Sequence, residues 1–447
     1  MITSDKVRSI AERVIPFMKK SGEGEVLFTA TNGALTRFAN NAISQNVAES
    51  NCEISVKAIL GKRFGQVNVN QFDAEAIKTA FRKAVDLAKS VRPDSTLLPL
   101  LGKQKESPAG PFSEKTASAG PVERAAIVSR IVRKYKRKKL LASGTCSNGA
   151  NAVALFNTNG LFAFHRDTSA DLELTALIRD GAGSASDSSR EIDRLQVDDV
   201  ADRAMDKAIR SVSPGLCPAG DYTVILEEGA VCEILEFLGW VGFGALSFIE
   251  NRSFLAGRLG QKVMGSNITI ADDVRHPLMR GIPFDFEGMA RQSLPLIERG
   301  IARSVVHDRL TAKRLKTRST GHSLQQPNTM GPMPLNLVVS PGTSSVEEMI
   351  ATTKKGIYVT KFHYTNVIDP KRVILTGMTR NGTFLVENGK ITRPLKNMRF
   401  TESAVEAFNN VERISKKVKF VSAFFGGGFV VPSMKINNFT FSSETKF

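Results

Sequence analysis

The residues best placed to do chemistry lie in one stretch, Glu227 to Phe248 (EEGAVCEILEFLGWVGFGALSF), where Glu233 and Glu236 stand among Val231, Ile234, Leu235, Phe237 and Leu238. A carboxylate in so apolar a setting is costly unless it is paired, exposed or used. A hydrolytic metal site needs convergent His, Cys or carboxylate ligands and one position open to water. The histidines His165, His276, His307, His322 and His363 provide no paired helical ligand set, since none has a partner within five residues. His322 in STGHS and His363 in KFHYTN sit in polar surroundings and could line a cleft, although single histidines are more often hydrogen-bonded structural residues. No G-x-S-x-G elbow, phosphate loop or dinucleotide fingerprint after a strand occurs.

The elements that would position these residues follow from pattern. DYTVILEEG (221–229) reads as a strand entering a helix that carries Glu233 and Glu236 and then breaks into glycines at Gly239, Gly242 and Gly244. Upstream, Val7, Ile10, Ala11 and Val14 make one face of an N-terminal amphipathic helix. Residues 24–70 alternate as strands, with Asn32–Gly33 as a hairpin signal, and Asp73 caps a helix reaching Lys89. Pro93, Pro99, Pro108, Pro111 and Pro121 mark residues 91–121 as a long loop or linker. A helix from about Val122 ends in RKYKRKK, where solvated cations complement the helix dipole, or alternatively grip phosphates.

The first pattern then returns. Asn159–Gly160 signals a hairpin and Asp198 caps a helix, so the interval from Gly33 to Asp73 nearly recurs from Gly160 to Asp198. We expect a duplicated strand–hairpin–strand–helix unit whose copies join into one antiparallel sheet with helices on one face. Downstream, strand pairs are expected at Leu294–Ile297 with Ile301–His307 and at Val373–Met378 with Thr383–Val386, with a tight turn at Asn388–Gly389. Helices are expected at Ser345–Thr353 and Glu402–Lys416, and FFGGGFVV (424–431) as a close-approach loop or a β-corner. The fold class is therefore α+β: an N-terminal domain over residues 1–212 and a mainly antiparallel domain with a central helix over residues 213–447.

At 447 residues the chain can bury a large core, and 42% hydrophobic with 23% charged residues excludes a disordered chain. A net charge of +17 favours anionic partners or simply solubility. The scattered Cys52, Cys146, Cys217 and Cys232 suit free thiols in a reducing compartment, and the N-terminus lacks a signal-type apolar core. A cytoplasmic protein with no membrane span is expected, because Gly229–Ile249 holds two glutamates and four glycines.

RFANNAISQNVAE, LGKRFGQVN, IPFDFEGMARQSLPLIERGIARSVVHD, STGHS, GMTRNGTFLVENGKITRP and the late VVPSMKI together resemble the TldD/PmbA family over essentially the full length. Its members form the TldD–TldE metalloprotease, once called a modulator of DNA gyrase. The resemblance implies His-Glu-x-x-x-His on the central helix of the catalytic subunit, with a zinc site completed by a cysteine near the C-terminus. Here Leu235 stands at the first histidine position and Trp240 at the second, no cysteine follows Cys232, and only the general-base position, Glu236, is kept. Neither leucine nor an indole N–H offers zinc a lone pair. The ordinary alternative for Glu236 is a helix carboxylate paired with an arginine, or exposed.

The resemblance therefore implies the TldE (PmbA) type, with no cofactor in this chain and zinc in a TldD-like metalloprotease partner. A heterodimer with that partner, or a homodimer, would enclose an unfolded peptide substrate. Gly242, Gly244, His322 and His363 are the candidate peptide contacts. Two other readings compete: a self-sufficient peptidase using His322, His363 and Glu236, and a nucleic-acid-binding or gyrase-modulating protein using Arg130–Lys139 and Lys313–Arg318.

Overall fold

A computed structural model describes residues 2–105 and 110–444. Pro108 of the proline-rich stretch lies outside the described residues. The first half is built from α1 (Ser4–Met18), β1 (Glu23–Ala39), β2 (Ala42–Leu60), β3 (Arg63–Val69) and α2 (Ala74–Ser90). After the short α3 (Glu114–Ser118) the series repeats as α4 (Pro121–Arg137), β4 (Leu141–Asn157), β5 (Phe162–Ile178), β6 (Gly181–Ser189) and α5 (Val197–Arg210). The six strands form one antiparallel sheet in the order β3-β2-β1-β4-β5-β6, joined at its centre by β1 against β4. The expected duplication is thus present, each copy a three-stranded meander flanked by helices.

Alternation along the strands separates the faces of this sheet. Val26, Phe28, Ala152, Ala154 and Phe156 pack under α1 and α2. Leu27, Val153 and Leu155, one residue out of step, pack instead against Phe284 of the C-terminal half. Asp73 caps α2 as expected, its Oδ1 accepting from the N–H of Glu75 and Ala76 at 2.9 Å.

Two local expectations are corrected. Asn32–Gly33 is not a turn: it lies inside β1, opposite Ser50 and Glu49 on one side and Ala150 and Gly149 on the other. The turn falls at Asn40–Asn41, where φ is 50° and 63°, a left-handed pair that asparagine tolerates. The second hairpin turns at Asn159–Gly160 as expected, with Gly160 at φ +89°. Asp198 sits in the first turn of α5 rather than capping it, since Gln196 precedes the helix.

The second half begins with β7 (Gly220–Leu226) and α6 (Glu228–Gly242). Its further strands are β8 (Ile270–Asp272), β9 (Leu294–Glu298), β10 (Ile301–Ala302), β11 (Leu337–Val339), β12 (Lys355–Val359) and β13 (Phe362–Asp369). They continue with β14 (Ile374–Thr379), β15 (Thr383–Glu387), β16 (Lys390–Pro394), β17 (Met398–Ser403), β18 (Val411–Ser422) and β19 (Gly428–Glu444). All thirteen belong to one sheet, mostly antiparallel, in which β19 pairs with β7, β11, β17 and β18.

The Asn388–Gly389 turn between β15 and β16 forms as expected, and so does the β9–β10 hairpin, although its second strand ends at Ala302 rather than His307. The expected pairing of 373–378 with 383–386 does not: β14 pairs with β13 and β17, while β15 pairs with β12 and β16. The expected helix 402–416 shrinks to Ala404–Asn409 behind the Ser403 cap, because the valines and aromatics from Val411 onward satisfy a strand beside β19. Helix α6 packs on β19, and its buried Val231, Leu235 and Leu238 enter the largest apolar core.

Candidate functional site

Helix α6 runs unbroken through Gly239, which packs against Leu337. Its entry is fixed by Glu227, whose carboxylate accepts from Lys207 Nζ of α5 at 2.6 Å and from the Tyr358 hydroxyl of β12 at 2.5 Å. The start of this helix is therefore tied to both halves of the molecule. One turn on, Glu233 and Glu236 share a face by their three-residue spacing. Glu233 accepts from the Thr365 hydroxyl of β13.

Glu236 is 6% exposed and, among the described residues, has no arginine partner. Its Oε2 accepts from the backbone N–H of Phe424 at 3.0 Å, and its Oε1 from that of Phe425 at 2.7 Å. The alternative of an arginine-paired or exposed carboxylate is corrected: two main-chain amides satisfy it. Both belong to the tip between β18 and β19, where Gly426 and Gly427 take φ +98° and +72°, a path that side chains resist. Burial pushes Glu236 up from the usual carboxylate range, and the two amide bonds recover only part of the shift. Burial likewise raises Glu233.

The two positions flanking Glu236 are apolar. Leu235 is fully buried in the core. Trp240, 39% exposed, lies 5.5 Å from Phe425 and 6.1 Å from Phe237 between ring centres. Phe425 in turn meets Phe237 at 5.7 Å and Phe424 at 5.3 Å. Four aromatic rings thus form one cluster on the helix and the tip that hold Glu236, with Phe424 the most exposed at 86%.

The other candidate residues do not join this group. Gly242 ends α6 under the Phe254 ring, and Gly244 faces the Pro332 carbonyl oxygen; each approach leaves no room for a Cβ. The expected break into glycines is therefore corrected: the helix runs to Gly242, and Gly242 and Gly244 are buried at its end. His322 cannot line an open cleft, since it is 0% exposed. Its Nδ1 shares a hydrogen bond with Thr320 Oγ1 at 2.9 Å, and its Nε2 lies 3.1 Å from Asp272 Oδ1. Asp272, also fully buried, accepts from the Asn336 N–H at 2.9 Å and feels the buried Arg291 guanidinium. Burial opposes its ionisation, but His322, Arg291 and these bonds outweigh burial and hold it below the usual range.

His363 stands on β13 beside the exposed Tyr364, and burial with the nearby Arg380 and Lys361 lowers its basicity. Glu236, His322 and His363 do not converge: among the described residues no three His, Cys, Asp or Glu side chains are placed to share a metal ion. Arg130 and Lys134 of the basic helix end pair with Asp198 and Asp202 of α5, the structural use of cations there. The amides of Phe424 and Phe425 escaped the sequence reading as partners of Glu236; the glycine run beside them was the available signal.

Comparison with known proteins agrees with this architecture. Residues 24–88, 111–212 and 219–443 match models of domain 1, the central domain and the C-terminal domain of the PmbA/TldA metallopeptidases. A metalloprotease TldD homolog of Buchnera aphidicola is 25% identical, covering 82% of this chain and 79% of its own length. A metalloprotease PmbA homolog of Haemophilus influenzae is 23% identical over 94% and 93%. In fold, the chain is similar to the crystal structure of TldE from Thermococcus kodakarensis, with a TM-score of 0.87, 21% identity, and 97% and 100% of the two chains covered. With its three domain models matched in chain order, this chain belongs to the PmbA/TldD metallopeptidase family.

Proposed function

We propose that this chain is the non-catalytic subunit of a TldD-type metalloprotease complex, one that shapes the site and holds an unfolded peptide while a zinc-bearing partner cuts it. The observation that carries this reading is the state of Glu236. A general base must face the water it activates, yet this carboxylate is buried and each of its oxygens already accepts a bond from a tip amide, Phe424 or Phe425. Zinc does not fit beside it, because Leu235 and Trp240 offer no lone pair and Phe425 fills the space against Trp240.

Peptidase activity and bound metal measured on the purified chain, with and without a TldD-like partner, test the proposal. Zinc-free, inactive protein that gives cleavage only in the mixture supports it. Chelator-sensitive cleavage by the chain alone removes it. The nucleic-acid reading gains no observation here, since the basic segment of α4 is partly neutralised by α5.

A further inference from the structure

The two copies of the duplicated unit close their outer edges differently. Residues 54–60 of β2 pair with β3, but residues 42–53 have a ladder partner, β1, on one side only. The counterpart in the second copy is the part of β5 before Ala170, which β6 does not reach. There residues 110–113 lie over the strand: the Arg166 guanidinium is 4.1 Å from the centre of the Phe112 ring, and the Ser113 N–H donates to Thr168 Oγ1 at 3.2 Å. A Cβ on Gly110 would strike the Arg166 carbonyl oxygen. On β6, Lys207 and Arg203 of α5 donate to the carbonyl oxygens of Ser184 and Ser186. Among the described residues nothing takes the outward backbone groups of residues 42–53.

An open edge recruits another strand unless cations, proline, bulges or shortness block it. The C-terminal sheet uses these blocks: β10 has two residues, β16 carries Lys390, Arg393 and Pro394, and β13 is interrupted by two register shifts. Residues 42–53 (AISQNVAESNCE) hold no lysine, arginine or proline, and their ladder with β1 is regular from Gln45 onward. Side chains then select the occupant. On one face Leu35 stands opposite Val47, both half-buried, with Arg37 opposite Gln45 and Gly33 opposite Glu49. Arg37 donates to Gln45 Oε1 at 3.4 Å and, among the described residues, joins no ion pair. Glu49 has neither a hydrogen bond nor an ion pair from its side chain there, and Gly33 beside it leaves open space. A second copy turned about a two-fold axis at Val47 meets these groups in order. Val47 faces its own copy, which extends the Leu35–Val47 pair into one apolar row. Each Glu49 faces Gln45 with Arg37 behind it, and no carboxylate faces another.

We propose that residues 42–53 of β2 form the interface with a second copy of this chain, pairing antiparallel in the register that sets Val47 opposite Val47. The two six-stranded sheets then run on as one. Because the contact is isologous, each end gains the same Glu49–Gln45 pair. The assignment stands apart from the role proposed for Glu236, which lies in the other half of the molecule.

Sedimentation velocity on the full chain across a concentration series tests it, and a dimer is expected. Gln45→Glu sets a carboxylate against Glu49 at both ends and should weaken that dimer about tenfold. Adding Glu49→Gln exchanges the pair and should restore it. In a Cys52→Ser background, which removes the one thiol that is not buried, Val47→Cys should oxidise to a covalent dimer. Ala48→Cys should not, because in this register its two Cα atoms lie more than about 7 Å apart. Thermal melts confirm that each variant is folded, and if Gln45→Glu is not, the cysteine pair carries the test. A monomer at every concentration, a dimer indifferent to Gln45→Glu, no recovery in the double variant, or equal cross-linking at both positions overturns the interface. So does a chain that is monomeric alone and pairs through this edge only with a TldD-like subunit, since the occupant is then a different chain.

Discussion

Glu236 and Asp272 are both buried carboxylates in the C-terminal half, and burial opposes ionisation of each. Asp272 is met by His322 and by the charge of Arg291 deep in the interior, and it ends below the usual carboxylate range. Among the described residues Glu236 is met only by two amides of a tip whose Phe424 is almost wholly in solvent, and it ends above that range. The difference lies in what meets the charge: charges in one case, backbone amides in the other. A charge held by charges in a closed core serves the fold. A carboxylate held by the amides of a solvent-facing loop is the one whose role beyond the fold is worth testing.

The sharpest way to break this contrast is Asp272→Ala. It strands Arg291, whose Nε and Nη1 already lack hydrogen-bond partners, so a loss of about 3–5 kcal/mol is expected in denaturant unfolding. A loss under 1 kcal/mol would show that the cluster is not structural. Next in size is Lys207→Met, which leaves Glu227 half-satisfied at the entry of α6; about 2–3 kcal/mol should be lost, with looser coupling between the two halves.

A pH titration then sharpens the comparison within the core. Glu287 is pushed up to about 7, first by burial and then by the neighbouring Asp285. Its folded pKa is raised, so its favourable contribution is complete below the unfolded value near 4.5 and is lost as pH rises through about 7. Asp272 has the opposite sign, contributing above its unfolded value and losing that contribution as pH falls. Glu287→Gln should flatten stability between pH 4.5 and 7 and make the variant more stable than the parent at pH 8, by a few kcal/mol at most. An unchanged pH profile would show that Glu287 is not buried as described.

Much of this architecture could be read in advance, and the failures share a cause. The duplication, the Asp73 cap and the Asn159–Gly160 turn depend on residues close in sequence, and all three are present. Asn32–Gly33 has the same local signature but sits in a strand paired on both sides, so ladder bonds override its turn preference. The oddity of Glu236 was visible from its apolar neighbours. Its partner was not, because Phe424 lies 188 residues away and contributes a backbone amide that no side-chain pattern records. His322 was chosen for polar surroundings, but the carboxylate that buries it comes from β8, far back in the chain.

The smallest effect is the most specific to the proposed site. In Glu236→Gln a carboxamide can accept from only one of the two tip amides, and its NH2 must then face the other, donor against donor. About 1–2 kcal/mol is at stake, less than for Asp272 because an exposed tip can turn its amides to water. The local readout is larger than the global one. Trp240 is the sole tryptophan and rests against Phe425, so loss of the tip from Glu236 should shift its emission to the red and open it to acrylamide quenching. If the emission and quenching match the parent while Phe425→Ala changes both, the aromatic contacts hold the tip unaided, and Glu236 becomes a passenger rather than the anchor of this surface.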